Sequence, residues 1–284
     1  MGTPLKDWDI KINYGIKTGL NEAFIISGAK RNEILANCKS EDEKQRTDEL
    51  IRPILRGRDI KRYGYNWANL WLIATFPSKK YDIELFPAVK NYLLSFAYGY
   101  LIVNGYKWVA NHYLSEFCQK KLEQKGIEII INGKHILDCN GNKEKSRKKT
   151  SNKWFETQDS ISYWDLFFKP KICWKAVGRN LAFSIVDSGI FLTAPACFIS
   201  AGKYNNIILS YLCSKVGTYF IYKNSDTTGA GDIMLNIQSL VKFPVPFPLH
   251  TNLVSGISKE MIDKFVYSSY AFSNEEISYI ENNI

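Results

Sequence analysis

The stretch KPKICWKAVGRNLAFSIVD, residues 169–187, decides the fold because two runs of alternating apolar residues flank a turn. The apolar positions are Ile172, Trp174 and Ala176 in the first run and Leu181, Phe183 and Ile185 in the second. The connection Gly178-Arg179-Asn180 has the length and chemistry of a hairpin turn. We therefore predict an antiparallel pair of strands at the centre of the molecule.

Further strands and helices surround this hairpin in the sequence. Residues 190–193 and 196–200 continue the strand pattern, and LWLIATF at 70–76 is typical of a buried strand. NNIILSYLCSKVGTYFIYK, residues 205–223, is apolar nearly all round, which predicts one helix packed on several sides. A helix is predicted to begin near Pro87, because proline suits the first helical turn. The predicted fold class is α+β, with twisted mixed or antiparallel sheets and peripheral helices.

A helical and loop insertion is predicted at about residues 78–152. It contains a stripe of apolar residues at helical spacing from Leu114 to Leu122 and a strand pattern at 127–132. The glycine- and asparagine-containing stretch 132–154 then predicts a mobile basic loop. Phosphate attraction and a merely solubilising surface are equally good interpretations of its basic residues, which include Lys145, Arg147 and Lys148.

A small helical pair is predicted at the end of the chain. The stretch VKFPVPFP, residues 241–248, should be extended because its prolines cannot join a helix or a central strand. A helix is then predicted from about Ser258 to Ser268, with one face formed by Ile257, Met261 and Phe265. Ser273 followed by Glu276 predicts the capping box of a second helix.

The stretch NYGIKTGLNEAFII, residues 13–26, places a polar loop between two predicted strands that we expect to form a hairpin. Gly15 and Gly19 would let another molecule approach the backbone closely. Charge and hydrogen-bonding groups come from Lys17, Thr18 and Asn21. The P-loop spacing is absent, so these residues alone fit a solvated connection as well as an anion-binding loop.

Composition favours a polyanionic partner. The sequence has 37 Lys and Arg but only 28 Asp and Glu, which gives a net charge of +9 in 284 residues. Nucleic acid is the commonest partner of such a chain.

Six cysteines lack any C-x-x-C spacing, which predicts reduced thiols in a cytoplasmic protein. Three dispersed histidines make a zinc site improbable. No apolar run reaches membrane-spanning length, and the early onset of structured-looking sequence predicts a longer parent protein.

The motifs of catalysis are missing from the sequence. It contains no N-P-P-[YFW] tetrapeptide and no glycine-rich cofactor loop after a strand. Glu123-Gln124-Lys125 matches only half of a nuclease signature, on what is predicted to be the polar face of a helix. We therefore predict no catalytic residue and no metal site in this chain.

The ordered succession of motifs resembles the TaqI-like C-terminal specificity domain, the target recognition domain of adenine-N6 DNA methyltransferases and type IIG restriction-modification enzymes. The resemblance covers nearly the whole chain. The matching stretches are YGIKTGLNEAFII, ELIRPILRGRDIKRY, LWLIATFP, YDIELFPAVKNYL, KWFETQDSISYWDLFFKPKICW, VKFPVPFP and IDKFVYSSYAFSNEEISYIE.

The resemblance implies a division of labour. It makes residues 1–250 a DNA target recognition domain and residues 251–284 a C-terminal helical extension. An N-terminal methyltransferase domain of the parent would bind S-adenosylmethionine, with Mg²⁺ in a parent that also cleaves DNA, and this chain would need no cofactor. Its partners would be that domain and double-stranded DNA. An RNA-binding or protein-binding module, or a complete enzyme with an unrecognised site, stays an alternative.

The implied DNA contacts lie on loops, where recognition residues usually sit. For the arginines of RGRD, the alternative is a structural pairing with Asp59 or Glu49. The expected DNA-binding residues are Lys17, Thr18, Asn21, Arg56, Arg58, Lys61, Arg62, Arg179, Asn180, Thr227 and Thr228. We expect the basic loop with Lys145, Arg147 and Lys148 to meet phosphates rather than bases, since a long loop cannot fix base contacts.

Overall fold

The chain divides into two compact units. The computed structural model describes residues 2–94, 135–137, 143–145, 150–179, 181–246 and 258–284. The first unit consists of Met1–Ile16, Ile54–Ala68 and Tyr163–Ile284, and the second of Lys17–Pro53 and Asn69–Ser162. Helices combine with open antiparallel and mixed sheets in the described residues, which confirms the α+β class. The predicted boundary at residue 250 stays a prediction.

The first unit is built on a four-stranded antiparallel sheet. The strand Lys171–Lys175 lies between Phe183–Val186 and Ala196–Ser200, and Lys11–Tyr14 pairs with the outer side of the latter. Trp174 lies opposite Phe183, as the predicted hairpin requires. The Trp174 side chain is completely buried, and its indole nitrogen donates to the Leu235 carbonyl at 3.2 Å. The alternating pattern therefore places the core of this unit correctly.

Two helices replace the single long helix predicted at 205–223. Asn205–Cys213 and Lys215–Asn224 are separated by Ser214, whose extended backbone ends the first helix. The Ser214 hydroxyl accepts a hydrogen bond from the Gly217 amide at 3.1 Å and so caps the second helix. The prediction was wrong because an N-cap serine inside an apolar run does not disturb the hydrophobic pattern.

The predicted C-terminal helical pair is present, and one face of its first helix is only partly buried. Lys259–Tyr270 and Asn274–Glu281 are its helices, and both hydrogen bonds of the predicted Ser273 capping box are formed. On the predicted face of the first helix, Phe265 packs against the core but Met261 is 60% exposed, and the buried residues of this helix include Ile262 and Val266. Residue 257 lies outside the described residues.

The second unit contains a sheet in which Leu70–Ile73 lies between Ile25–Ser27 and the first residues of Ile51–Leu55. The predicted hairpin at 13–26 is wrong. Its first strand pairs with Ala196–Ser200 within the first unit. A helical turn, Asn21–Phe24, occupies the start of the predicted second strand. The larger helices of this unit are Gly28–Ala36, Glu41–Leu50 and Pro87–Leu94.

Short elements complete the described structure. The remaining strands are Thr3–Pro4, Ile60–Lys61, Gly64–Tyr65, His135–Leu137, Lys143–Lys145, Val177–Gly178, Phe191–Leu192, Asp226–Thr227, Ile233–Met234 and Pro244–Val245. The remaining helical turns are Leu5–Asp7, Gly57–Asp59, Pro77–Lys79, Ile83–Leu85, Trp164–Phe168, Gly202–Tyr204 and Ile237–Leu240. The predicted mobile loop is wrong where 135–137 and 143–145 form an antiparallel pair. The helix predicted around 114–122 and the strand at 127–132 lie outside the described residues.

Candidate functional site

The two arginines of the RGRD turn have different surroundings: Arg56 is bonded within the turn, and Arg58 is exposed. Arg56 donates from Nε and Nη2 to the two carboxylate oxygens of Asp59, each at 2.8 Å. The Arg56 amide also donates to that carboxylate, at 3.0 Å. This is the structural pairing that the sequence offered as the alternative to a DNA contact. Arg58 is exposed on the same turn, which leaves its guanidinium accessible to an external anion.

The two basic residues after this turn also differ in their surroundings. Arg62 donates to the Cys213 carbonyl at the end of a helix and lies over the Tyr63 ring at 5.4 Å. Lys61 is exposed, and its ammonium donates to the Arg58 carbonyl at 3.2 Å. A backbone carbonyl does not neutralise a positive charge, so Lys61 and Arg62, which are both exposed, keep their charges available. Arg62 in addition links its segment to the end of a helix.

A three-stranded sheet brings two predicted loops together. Ile233–Met234 pairs with Val177–Gly178 on one side and with Asp226–Thr227 on the other. Arg179 directly follows one strand of this sheet, and the 226–232 loop joins the other two. The Arg179 side chain is 80% exposed, and its Nε lies 3.8 Å from the Asp232 carboxylate. These two predicted loops thus form one surface.

The threonines of this surface have different roles in its loop. Thr227 is exposed. The Thr228 hydroxyl accepts from the Asp232 amide at 3.0 Å and so helps to close the loop. Asn180 lies outside the described residues.

Sequence reasoning missed Lys175, which links these two regions. Its side chain runs past the backbone of both Gly57 and Gly178. It therefore joins the RGRD turn to the segment that carries Arg179. In the sequence, Lys175 was only the polar residue of a strand, and no local signal marked the two glycines as its neighbours. The cationic surface is the name used below for Arg58, Lys61, Lys175 and Arg179.

The predicted loop of the second unit is held from within. The Lys17 amide donates to the Asp159 carboxylate at 2.9 Å, while the Lys17 side chain is exposed. Thr18 is 1% exposed, and its hydroxyl donates to Asn21 Oδ1 at 2.7 Å. Thr18 therefore supports the loop, and Lys17 and Asn21 are the predicted contacts that present exposed side chains.

The glycines flanking that loop act differently from each other. Gly19 adopts a φ of +86°, which favours glycine. Gly15 is packed against the backbone of Thr193, and its amide donates to the Ala196 carbonyl at 2.7 Å. The backbone of this chain therefore occupies the space beside Gly15 where another molecule was expected to approach.

The basic loop predicted at 132–154 is described only in part. Lys145 ends the strand Lys143–Lys145, opposite His135. Arg147 and Lys148 lie outside the described residues, so their predicted phosphate contacts stay predictions.

An apolar cavity of about 490 Å³ in the first unit offers no catalytic arrangement. Aromatic rings line most of it, among them those of Phe220, Phe243 and Phe272. Hydrogen bonds from its own backbone amide and from Ser273 hold the pKa of Glu275 below its ordinary value. Glu276 accepts from the Ser273 amide at 2.8 Å. Both residues belong to the capped first turn of a helix, and the lowered pKa of Glu275 is the opposite of what a general acid needs.

The described ranges contain neither a metal-binding cluster nor a helix that could span a membrane. No cluster of three or more His, Cys, Asp or Glu side chains there is arranged to hold a metal ion. None of the helices in that part of the chain combines the length and the apolar character that crossing a bilayer requires.

Comparison with known proteins gives one family and a set of related folds. The family model of the TaqI-like C-terminal specificity domain matches residues 52–245. No curated protein matches the chain. The fold is similar to that of the type IIL restriction-modification enzyme MmeI, solved in complex with DNA, with a TM-score of 0.55 and 10% sequence identity. That similarity covers 99% of this chain and 36% of MmeI.

The type IIG restriction endonuclease BpuSI is a second, more distant structural neighbour. Its TM-score is 0.42 at 12% identity, over 95% of this chain and 26% of BpuSI. At 10% identity the likeness to MmeI concerns the fold.

Proposed function

The chain belongs to the TaqI-like C-terminal specificity domain family, and from this premise we propose that it selects the duplex DNA site for a longer restriction-modification adenine-N6 methyltransferase. The chain spans about a third of the length of MmeI, at 36%. The proposed parent therefore supplies catalysis from a separate N-terminal methyltransferase domain that binds S-adenosylmethionine. A fused type IIG endonuclease-methyltransferase is a variant of the same proposal, with Mg²⁺ serving its nuclease.

The cationic surface is the observation that carries this proposal. It collects four basic side chains from the RGRD turn, the short strand Ile60–Lys61, the strand Lys171–Lys175 and the segment after Val177–Gly178. The matched family region, residues 52–245, contains all of them. Phosphate contacts by such groups position a protein on DNA, while contacts to base edges select the sequence.

Reduced thiols support a cytoplasmic location for the parent. The four cysteines in the described part of the chain, Cys38, Cys173, Cys197 and Cys213, are free. Disulfides are rare in proteins of the reducing cytoplasm.

Duplex binding by the whole chain tests the proposal. Labelled mixed-sequence duplex and its separate strands would be titrated by fluorescence anisotropy at several salt concentrations. We expect the duplex to bind more tightly, with log K falling against log salt by about 0.9 per phosphate neutralised. Affinity that ignores salt would contradict the proposal. Stronger binding to single strands would favour the alternative RNA-binding module, which stacks bases on aromatic rings.

Methyl transfer separates the module from a complete enzyme. We expect the chain alone to transfer no labelled methyl group from S-adenosylmethionine to the mixed-sequence duplex and to leave that duplex uncut. Transfer or cleavage by the isolated chain would instead establish a catalytic site within it.

A further inference from the structure

Lys175 occupies a fixed position in the cationic surface. It is the last residue of the strand Lys171–Lys175 and follows the fully buried Trp174. Because successive side chains of a strand point to opposite faces, Lys175 faces away from the core that Trp174 enters. The residue is half-buried although it carries a charge.

Two glycines make room for the lysine side chain. A Cβ atom added to Gly57 would lie 3.2 Å from Lys175 Cγ. One added to Gly178 would lie 2.7 Å from Lys175 Nζ and 3.1 Å from Cε. Neither Gly57 nor Gly178 has the positive φ of a left-handed backbone conformation; the described glycines with positive φ are Gly19, Gly189, Gly202 and Gly231. Glycine at both positions therefore leaves room for the close approach of Lys175.

The ammonium group of Lys175 has cationic neighbours along the chain and no bound carboxylate. Arg58 follows Gly57, and Arg179 follows Gly178. Among the described residues, no carboxylate oxygen lies within 4.0 Å of Lys175 Nζ. The carboxylate of Asp59 is taken by Arg56. Arg179 lies 3.8 Å from the Asp232 carboxylate, whereas the Lys175 ammonium has no such partner there and is available to an external acceptor.

We propose that Lys175 is a specificity-determining residue that donates to the N7 and O6 acceptor edge of one guanine in the major groove. This inference rests on the proposed function. A base contact requires a donor with fixed geometry, which packing against two glycines provides. The exposed side chains of Arg58 and Arg179 are suited to the flanking phosphates, which demand less precise placement.

The sequence preference of three variants tests this assignment. Duplexes with a randomised window would be selected on the immobilised full chain and sequenced. Lys175→Met should abolish the preference for guanine at one position, about 5- to 150-fold, which is the discrimination that a bidentate base contact supplies. Lys175→Arg should retain it, since arginine reads the same edge. Lys203→Met is the matched control, since Lys203 is an exposed lysine that does not belong to the cationic surface.

Substitutions of two glycines provide a second test, in which the residue Lys175 itself is unchanged. Gly178→Ala should displace the ammonium and weaken the preference at the same position, because the added Cβ would lie 2.7 Å from Lys175 Nζ. Gly64→Ala is its control, since an added Cβ there meets no atom within 4 Å.

Each outcome decides a different claim. A wild-type chain that fails to bind duplex refutes the proposed function, and the inference falls with it. A wild-type chain that selects a site while Lys175→Met selects the same site refutes the inference alone. Uniform weakening across all sequences, with a salt slope reduced by about 0.9, would make Lys175 a phosphate contact and also refute the inference.

Discussion

The carboxylate of Asp59 holds the guanidinium of Arg56 through two hydrogen bonds of 2.8 Å, within one turn of the RGRD segment. Only 8% of the Asp59 side chain and 29% of the Arg56 side chain are exposed. Burial acts to raise the pKa of Asp59, but hydrogen bonds from the Arg56 side chain and backbone outweigh it and hold the pKa below its ordinary value. The pair therefore fixes the turn that presents Arg58.

Removing the Asp59 charge should destabilise the chain at neutral pH and much less in acid. For Asp59→Asn we expect a loss of about 1–3 kcal/mol at pH 7, the cost of leaving a half-buried partner poorly bonded. A lowered folded-state pKa stabilises above the unfolded value, about 3.9, and this contribution is lost as the pH falls through the folded value. Urea unfolding at pH 7 and pH 3 measures the difference.

The exposed pair Lys30–Glu33 provides the control for this prediction. It has the same spacing in sequence, with 37% and 58% of the side chains exposed. Glu33→Gln should cost at most about 1 kcal/mol, as exposed ion pairs do. Equal losses for Asp59→Asn and Glu33→Gln would show that Asp59 contributes no more than an exposed charge.

Arg58→Ala should weaken binding to every duplex sequence and reduce the salt slope by about 0.9, because one phosphate contact is lost. Fluorescence anisotropy at several salt concentrations measures both quantities. Arg46→Ala removes the same charge from the helix Glu41–Leu50, whose first turn is acidic. If the two variants bind alike, DNA affinity depends on net charge and not on the cationic surface.

The fully buried Lys171 should make stability depend on pH in the alkaline range. Its ammonium donates to the carbonyls of Phe167, Lys169 and Asp187 at 3.0–3.2 Å. Burial lowers its pKa from 10.5 to about 8. Between these values the unfolded chain binds more protons, so this group makes the unfolding free energy rise with pH, by up to about 1.4 kcal/mol per pH unit.

The Lys171→Met variant isolates this contribution. Its unfolding free energy, subtracted from that of the wild type at each pH, should reveal the rise between pH 8 and pH 10. Lys169→Met, at an exposed lysine two residues away, is the control. A wild-type-minus-variant difference that stays constant over this range would contradict the prediction.

Local signals in the sequence predicted local structure, but they could not predict contacts between segments that are distant in the sequence. The hairpin around Gly178 and the Ser273 capping box are confirmed because each depends on residues a few positions apart. The hairpin at 13–26 was wrong because Tyr14 pairs with Cys197, far along the chain. Lys175 was missed for the same reason, since its neighbour Gly57 is remote in sequence.

Asn21→Asp should change the DNA site preference while it preserves the loop. Thr18 donates to Asn21 Oδ1 at 2.7 Å, and aspartate offers an oxygen at the same place. The substitution removes the amide donors that would recognise an adenine edge, so preference at one position should fall about 5- to 150-fold. Asn32→Asp, at an exposed residue of the helix Gly28–Ala36, makes the same change in net charge. Selection from a randomised duplex library would compare the two variants, with circular dichroism to check that both remain folded. The same preference in both would remove Asn21 from the predicted base contacts, because the added charge alone would then explain any loss of affinity.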